Sequence, residues 1–188
     1  MSGRITVISG PAGVGKGTVV QLLRREHPEV WVSVSATTRP PRPGEVDGEH
    51  YVFTSEEEFD RLVDADGLLE WAVVHGRHRY GTPSGPVHAM AAAGRPVILE
   101  IDLQGARQVR ERLPEAHFVF LSPPDWRTLV GRLEGRGTES PDQVARRLET
   151  ARVELAAAEE FDEVIVNDEL GDTVAQLVRS LGLQPQTS

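Results

Sequence analysis

The 188-residue sequence predicts an α/β protein with a doubly wound parallel sheet and an inserted mixed-sheet lobe. Three observations carry that prediction. The β-branched run Ile5-Thr6-Val7-Ile8-Ser9 stops at a glycine-rich turn and gives way to a helical pattern. Apolar runs then alternate with amphipathic helical stretches, as parallel strands require, since each crossover between them needs a helix. Between about 33 and 82 the alternation fails, and short strands follow one another in quick succession.

The first turn reads Gly10-Pro11-Ala12-Gly13-Val14-Gly15-Lys16-Gly17-Thr18. Strand, glycine loop and helix form the setting of a phosphate-binding loop. The glycines let the backbone curl its N–H groups toward phosphate oxygens, and the helix N-terminus adds a favourable dipole. Lys16 is the only lysine, and the other 19 basic residues are arginine. The exception falls where a thin ammonium fits among backbone amides and a broad guanidinium does not. A loop of this kind serves ATPases, GTPases, kinases and nucleotide-dependent ligases alike.

Composition narrows the classes. The length suits one domain with a real core. Cysteine is absent, which removes disulfide and thiolate chemistry and fits a reducing compartment. A formal net charge of -9 argues against a duplex nucleic-acid partner and leaves room for a small anion held by local arginines. No apolar stretch approaches a membrane span, and the N-terminus lacks a signal-peptide pattern. A cytoplasmic protein without membrane or nucleic-acid partners is expected; monomer and homo-oligomer both remain open.

The elements follow in order. Residues 4–9 read as a buried strand and 15–26 as a helix ending near His27-Pro28. Residues 31–35 alternate as a half-exposed strand, and 36–45, with three prolines and a glycine, read as a stiff loop. His50 to Phe53 is a short strand. Ser55-Glu56-Glu57-Glu58 is a capping box opening a helix to about Ala65. Residues 68–74 form a strand and 75–81 a turn. Thr82 and Pro83 read as cap and first residue of a helix to about Ala93. The apolar run 97–101 is a central parallel strand ending at Asp102, where such sheets place functional residues. Residues 103–113 are helical, 117–121 form another core strand, and a helix starts near Asp125. Gly135 and Gly137 interrupt it as a hinge, and Ser140-Pro141-Asp142-Gln143 caps a helix to about Glu160. Residues 163–167 form the last strand, 172–181 the last helix, and 184–188 a loose tail.

Arginines sharpen the function. Arg39 and Arg42 sit in a rigid loop suited to gripping a phosphate. Arg132, Arg136 and Arg147 flank the glycine hinge. Two arginine clusters and one phosphate loop point to two anionic substrates.

The stretch Ser33-Val34-Ser35-Ala36-Thr37-Thr38-Arg39-Pro40-Pro41-Arg42-Pro43-Gly44-Glu45, continuing through Tyr51 and Phe53, resembles the monophosphate-binding signature of guanylate kinases. So do Leu69-Glu70-Trp71, Tyr80-Gly81-Thr82, Glu100 to Gly105, Arg132 to Thr138, and Val164 to Asp168. The resemblance implies a fold of P-loop kinase type, with core 1–32, 83–125 and 160–188, a GMP-binding lobe at 33–82 and a helical lid at 126–159. It also implies transfer of the γ-phosphoryl group of ATP to GMP, and to dGMP, in purine nucleotide metabolism. By motif, Ser35, Arg39, Arg42, Tyr51 and Tyr80 would hold the GMP phosphate and its neighbours, and Glu70 would read guanine. Ser35 and Asp102 are further guanine candidates, with Thr82 in support. Residues 10–18 with Lys16 would hold the ATP phosphates, Arg132, Arg136 and Arg147 would act from the lid, and Asn167 would lie near adenine.

A carboxylate at Glu70 can accept from guanine N1–H and the 2-amino group together; adenine would leave it unpaired. Asp102 serves equally well as a guanine contact or as a Mg²⁺-water ligand, with Glu100 a second Mg²⁺ candidate. Gly17 stands where many phosphate loops carry the Mg²⁺-binding Ser or Thr, so Mg²⁺ is expected to bind through water. The alternative from another class is a guanylate-kinase-like binding module for phosphopeptides. An intact phosphate loop favours the enzyme, and Glu70 with the arginine signature favours GMP over a sugar phosphate.

Overall fold

The structure, a computed structural model, describes residues 3–74, 76–134 and 141–183. Strand β1 (Ile5–Ser9) lies at the centre of a five-stranded parallel sheet. It is flanked by β7 (Val97–Glu100) and β8 (His117–Ser122), with β2 (Trp31–Val32) and β9 (Glu163–Val166) at the edges. Successive residues of a strand face opposite ways, and both faces here are covered. Ile8 packs with Val19 and Leu23 of α1 (Lys16–Glu26) and Val174 and Leu177 of α7 (Leu170–Ser180). Val7 packs with Val87 of α3 (Ser84–Ala92) and Ala106 and Val109 of α4 (Leu103–Arg112). Double coverage explains why the strands read as nearly unbroken apolar runs. Because the strands are parallel, their C-terminal ends share one edge of the sheet. That edge carries the glycine loop after β1, Glu100 at the end of β7 with Asp102 beyond it, and Asn167 after β9.

A second, mixed sheet runs in the order β4-β3-β6-β5. It contains β3 (Ala36–Thr37), β4 (Val52–Phe53), β5 (Leu68–Val74) and β6 (His78–Pro83). Helix α2 (Glu56–Asp64) covers it, with Phe59 buried against Ala36, Leu68 and Trp71. The Ser55–Glu58 capping box forms as the sequence indicates. Arg79 ties this lobe together: it pairs with Glu56 and Asp60 and lies 4.6 Å from the centre of the Phe59 ring.

Four local expectations need correction. The strand expected at 31–35 ends at Val32, because the chain leaves the core sheet there and joins the lobe at Ala36. Ala36 and Thr37, read as loop, are buried and paired with Gly81 and Tyr80. The turn at 75–81 is shorter, since His78 to Gly81 already pair with β5. Thr82 and Pro83 finish β6, and α3 starts at Ser84, so the Thr82 hydroxyl is free for another use.

Helices α5 (Trp126–Glu134) and α6 (Pro141–Ala156) form a hairpin around Leu129, Leu133 and Ala151, followed by a 3₁₀ turn at Ala157–Glu160. The hinge glycines, Arg136, Ser140 and the tail at 184–188 lie outside the described residues. Among the described residues, no helix is long and apolar enough to cross a membrane.

Candidate active site

The glycine loop curls as its composition requires. Gly10, Gly13 and Gly15 all take positive φ angles. At Gly15, with φ +100, an added Cβ would also stand 2.8 Å from Asn167 Nδ2, so only glycine serves there. Asn167 locks the loop from outside: its Nδ2 donates to Val14 O at 2.7 Å and its Oδ1 accepts from Thr173 Oγ1 at 3.0 Å. Arg132 donates to the carbonyls of Val14 at 3.2 Å and Asn167 at 3.5 Å. Beside these residues lies a cleft of about 340 Å³, reaching Thr18, Asp168 and Leu170. Arg132, expected to act from the lid, is thus tied by its guanidinium to the glycine loop and to the end of β9.

Lys16 opens α1, and its ammonium donates to Gly10 O at 2.5 Å. Burial pushes its pKa below the ordinary lysine value, while Glu154, Glu100 and Asp102 oppose that shift. Three carboxylates thus face one cation. Burial pushes Glu100 above the usual carboxylate range, against the pull of Lys16. Asp102 caps α4 by accepting from Gly105 N at 2.8 Å.

Glu70 sits on β5 opposite Thr82 in the lobe. It is 8% exposed, and Thr82 Oγ1 donates to its Oε1 at 2.6 Å. Burial, with Asp102 adding to it, raises its pKa from the ordinary 4.5 to about 7 despite the Thr82 hydrogen bond. Gly105 lets α4 approach: a Cβ there would stand 3.0 Å from Glu70 Oε2 and 3.3 Å from Asp102 Oδ1. Gln108 fixes the strand by bonding both the N–H and the C=O of Trp71 at 3.1 Å. A cleft of about 350 Å³ runs between β5, the start of α4 and α6, and reaches Asp102 and Glu154.

The arginine loop is more self-contained than its sequence indicates. Arg39 is 8% exposed and makes four hydrogen bonds. Its Nε donates to the Tyr80 hydroxyl at 3.0 Å, Nη1 to Pro40 O and Glu45, and Nη2 to Glu45 at 2.8 Å. Its guanidinium also lies 5.3 Å from the Tyr51 ring centre, and Tyr51 meets Tyr80 edge to face. A guanidinium has five N–H donors, so little of Arg39 is left for a ligand. The Arg39 bond holds the Glu45 carboxyl down at about 2. Arg42 is exposed, and its backbone N–H also bonds Glu45, at 2.6 Å. Ser35 is half-buried at the entry to the lobe, and Arg147 is half-buried on α6.

Residues 2–183 match the family model for guanylate kinase. The chain belongs to the guanylate kinase family. It is 62% identical to the guanylate kinase of Cutibacterium acnes over 179 residues, 95% of this chain and 90% of the relative. The crystal structure of guanylate kinase from Anaplasma phagocytophilum superposes with a TM-score of 0.75 at 32% identity, covering 96% of this chain and 85% of that one. Shikimate kinase from Bacteroides thetaiotaomicron shares the fold, with a TM-score of 0.51 at 15% identity over 96% and 99% of the two chains. The predicted fold is therefore the observed one, and the chain is a nucleotide kinase.

Beside the residues singled out from the sequence, the structure sets four that the sequence reading gave no role: Glu45 at Arg39, Gly105 at Glu70, Gln108 at Trp71 and Glu154 near Lys16. Glu45 and Gly105 stand inside the recognised motifs, where an acidic partner and a close-contact glycine were legible. Glu154 lies on an amphipathic helix and gave no local signal.

Proposed function

We propose how these residues divide the work of ATP:GMP phosphotransfer, the reaction of the family. The observation that carries the division is the buried Glu70–Thr82 pair, which meets Asp102 across Gly105, while Asp102 in turn faces the Lys16 ammonium. Guanine stacks into the lobe with N1–H and the 2-amino group donating to Glu70. Thr82 holds the carboxylate by its other face, and Asp102 and Ser35 complete the base contacts. Arg42, Tyr51 and Tyr80 receive the GMP phosphate, with Arg39 stiffening the loop and offering its last N–H. The amides of residues 10–18 and the Lys16 ammonium hold the ATP phosphates. Arg132 and Asn167 take the adenosine end, and the α5–α6 hairpin, with Arg136 and Arg147, acts as a lid.

A GMP phosphate oxygen attacks the γ-phosphorus as the bond to the bridging oxygen of ADP breaks. The attacking oxygen is already anionic, so no general base is needed; positioning and charge neutralisation supply the catalysis. The carboxylates Glu100 and Asp102 are hard oxygen donors suited to Mg²⁺. Gly17 brings no hydroxyl, and among the described residues no group of three such side chains could hold a metal ion. Mg²⁺ would therefore be held through water, where it adds positive charge to the phosphates. The cysteine-free composition supports a cytoplasmic location.

A coupled ADP-release assay tests the division. GMP should turn over best, dGMP less well, and AMP and CMP poorly; an inert GMP beside a reactive sugar phosphate would remove Glu70 from base recognition. Gly105→Ala should raise KM for GMP about tenfold with little change in melting temperature, because the new methyl crowds Glu70 and not the core. An unchanged KM would place guanine elsewhere.

A further inference from the structure

Glu154 is the one carboxylate around Lys16 that the proposed mechanism leaves unused. It stands in the last turn of α6, the second helix of the hairpin, and reaches across to the glycine loop. There its carboxylate faces the backbone N–H of Ala12 and is attracted to the Lys16 ammonium. An amide of the loop and the loop lysine are donors of the kind that receive a nucleotide phosphate. Its oxygen Oε2 is buried with no hydrogen-bond partner.

Two roles fit a carboxylate in this place. A fixed brace for the loop would have both oxygens paired, because a buried unpaired oxygen costs about 1–3 kcal/mol. A temporary occupant needs only enough contact to hold the loop until a better anion arrives. A phosphate group brings more oxygens and more charge than one carboxylate, and two anions cannot share the same donors at close range. The buried, unpaired Oε2 favours the temporary occupant.

We propose that Glu154 is a positioning residue that fills the phosphate cradle from the hairpin and is displaced when ATP binds. The carboxylate takes up the loop N–H and balances Lys16 in the free protein. ATP then has to move α6 aside to enter, which couples occupancy of the loop to the position of the hairpin. The inference rests on the assignment of residues 10–18 to the ATP phosphates.

A carboxylate that occupies the loop nine-tenths of the time lowers the apparent ATP affinity about tenfold. Removing its charge without its shape should restore that affinity. Calorimetric titration of Glu154→Gln with ATP, without GMP, is expected to give binding about tenfold tighter than for the unaltered chain. GMP binding should change less than twofold, and Glu154→Asp should fall between the two. Glu149→Gln, an exposed change on the same helix, should leave ATP binding as it is. Weaker or unchanged ATP binding by Glu154→Gln overturns the proposal, since a brace would weaken the site and a packing role would not respond to an isosteric change. Lys16→Ala in the same titration separates the two layers. If it binds ATP normally, the loop assignment fails; if it loses ATP while Glu154→Gln is unchanged, only the role of Glu154 fails.

Discussion

Lys16→Ala is expected to cut turnover about 10³-fold, roughly 4 kcal/mol of transition-state stabilisation, while leaving a folded protein. The size follows from where the charge sits. The ammonium is desolvated against the glycine loop, so its field on a transferring phosphoryl group is weakly screened. Charge neutralisation is most of what this chemistry asks of the protein. The fold should survive because Lys16 opens α1 at the surface of the core and contributes nothing to the apolar packing of Val19, Val20 and Leu23. Glu100 and Glu154, both already pushed up by burial, can take up protons when the cation is gone. Lys16→Arg should fail nearly as badly, since the planar fork is too broad for a space bounded by loop carbonyls. Circular dichroism with the coupled assay checks both variants, and near-normal turnover in either would take Lys16 out of the mechanism.

Much of this arrangement is legible in the sequence because its signals are local. A glycine loop between a strand and a helix reports itself through residue type alone, and so do a capping box and an apolar parallel strand. Ser55 and Glu58 bond each other as their spacing requires, and Asp102 falls at the strand end where parallel sheets expose their functional groups. What stayed hidden depends on pairing between distant segments. Ala36 and Thr37 look like loop because the strand that pairs with them is about 45 residues away in sequence. Thr82 has the sequence of a helix cap, but its hydroxyl found a buried carboxylate on the neighbouring strand, a better partner than an exposed helix end. Arg39 was identified as a phosphate ligand from its charge; that Glu45, Tyr80 and Pro40 would absorb most of its donors depends on how the proline-rich loop folds back on itself.

The same separation applies to stability and function at Glu70, where replacement should cost activity and strengthen the fold. Glu70→Gln is expected to lower kcat/KM for GMP about 10²- to 10³-fold, because the amide can still accept from N1–H but turns an N–H group toward the guanine 2-amino group. The pH dependence gives a second, sharper readout. Free Glu70 titrates at about 7, above its ordinary 4.5. Guanine needs the ionised form, so KM for GMP should rise about tenfold per pH unit as pH falls below 7. The substrate phosphate has its own ionisation near 6, and Glu70→Gln should keep that break while losing the one at 7. The sign for folding is opposite to that of a carboxylate in an ion pair. A raised carboxylate pKa means the folded state holds the proton more tightly than the unfolded chain between 4.5 and 7. Stability of the free protein should therefore fall as pH rises through that window and level off above it. Glu70→Gln removes this slope and should be more stable than the parent at pH 8 by about 2 kcal/mol, measured by urea unfolding. A variant that loses both GMP activity and stability at pH 8 would mean that Glu70 is held by a structural ion pair instead of being kept poised for guanine.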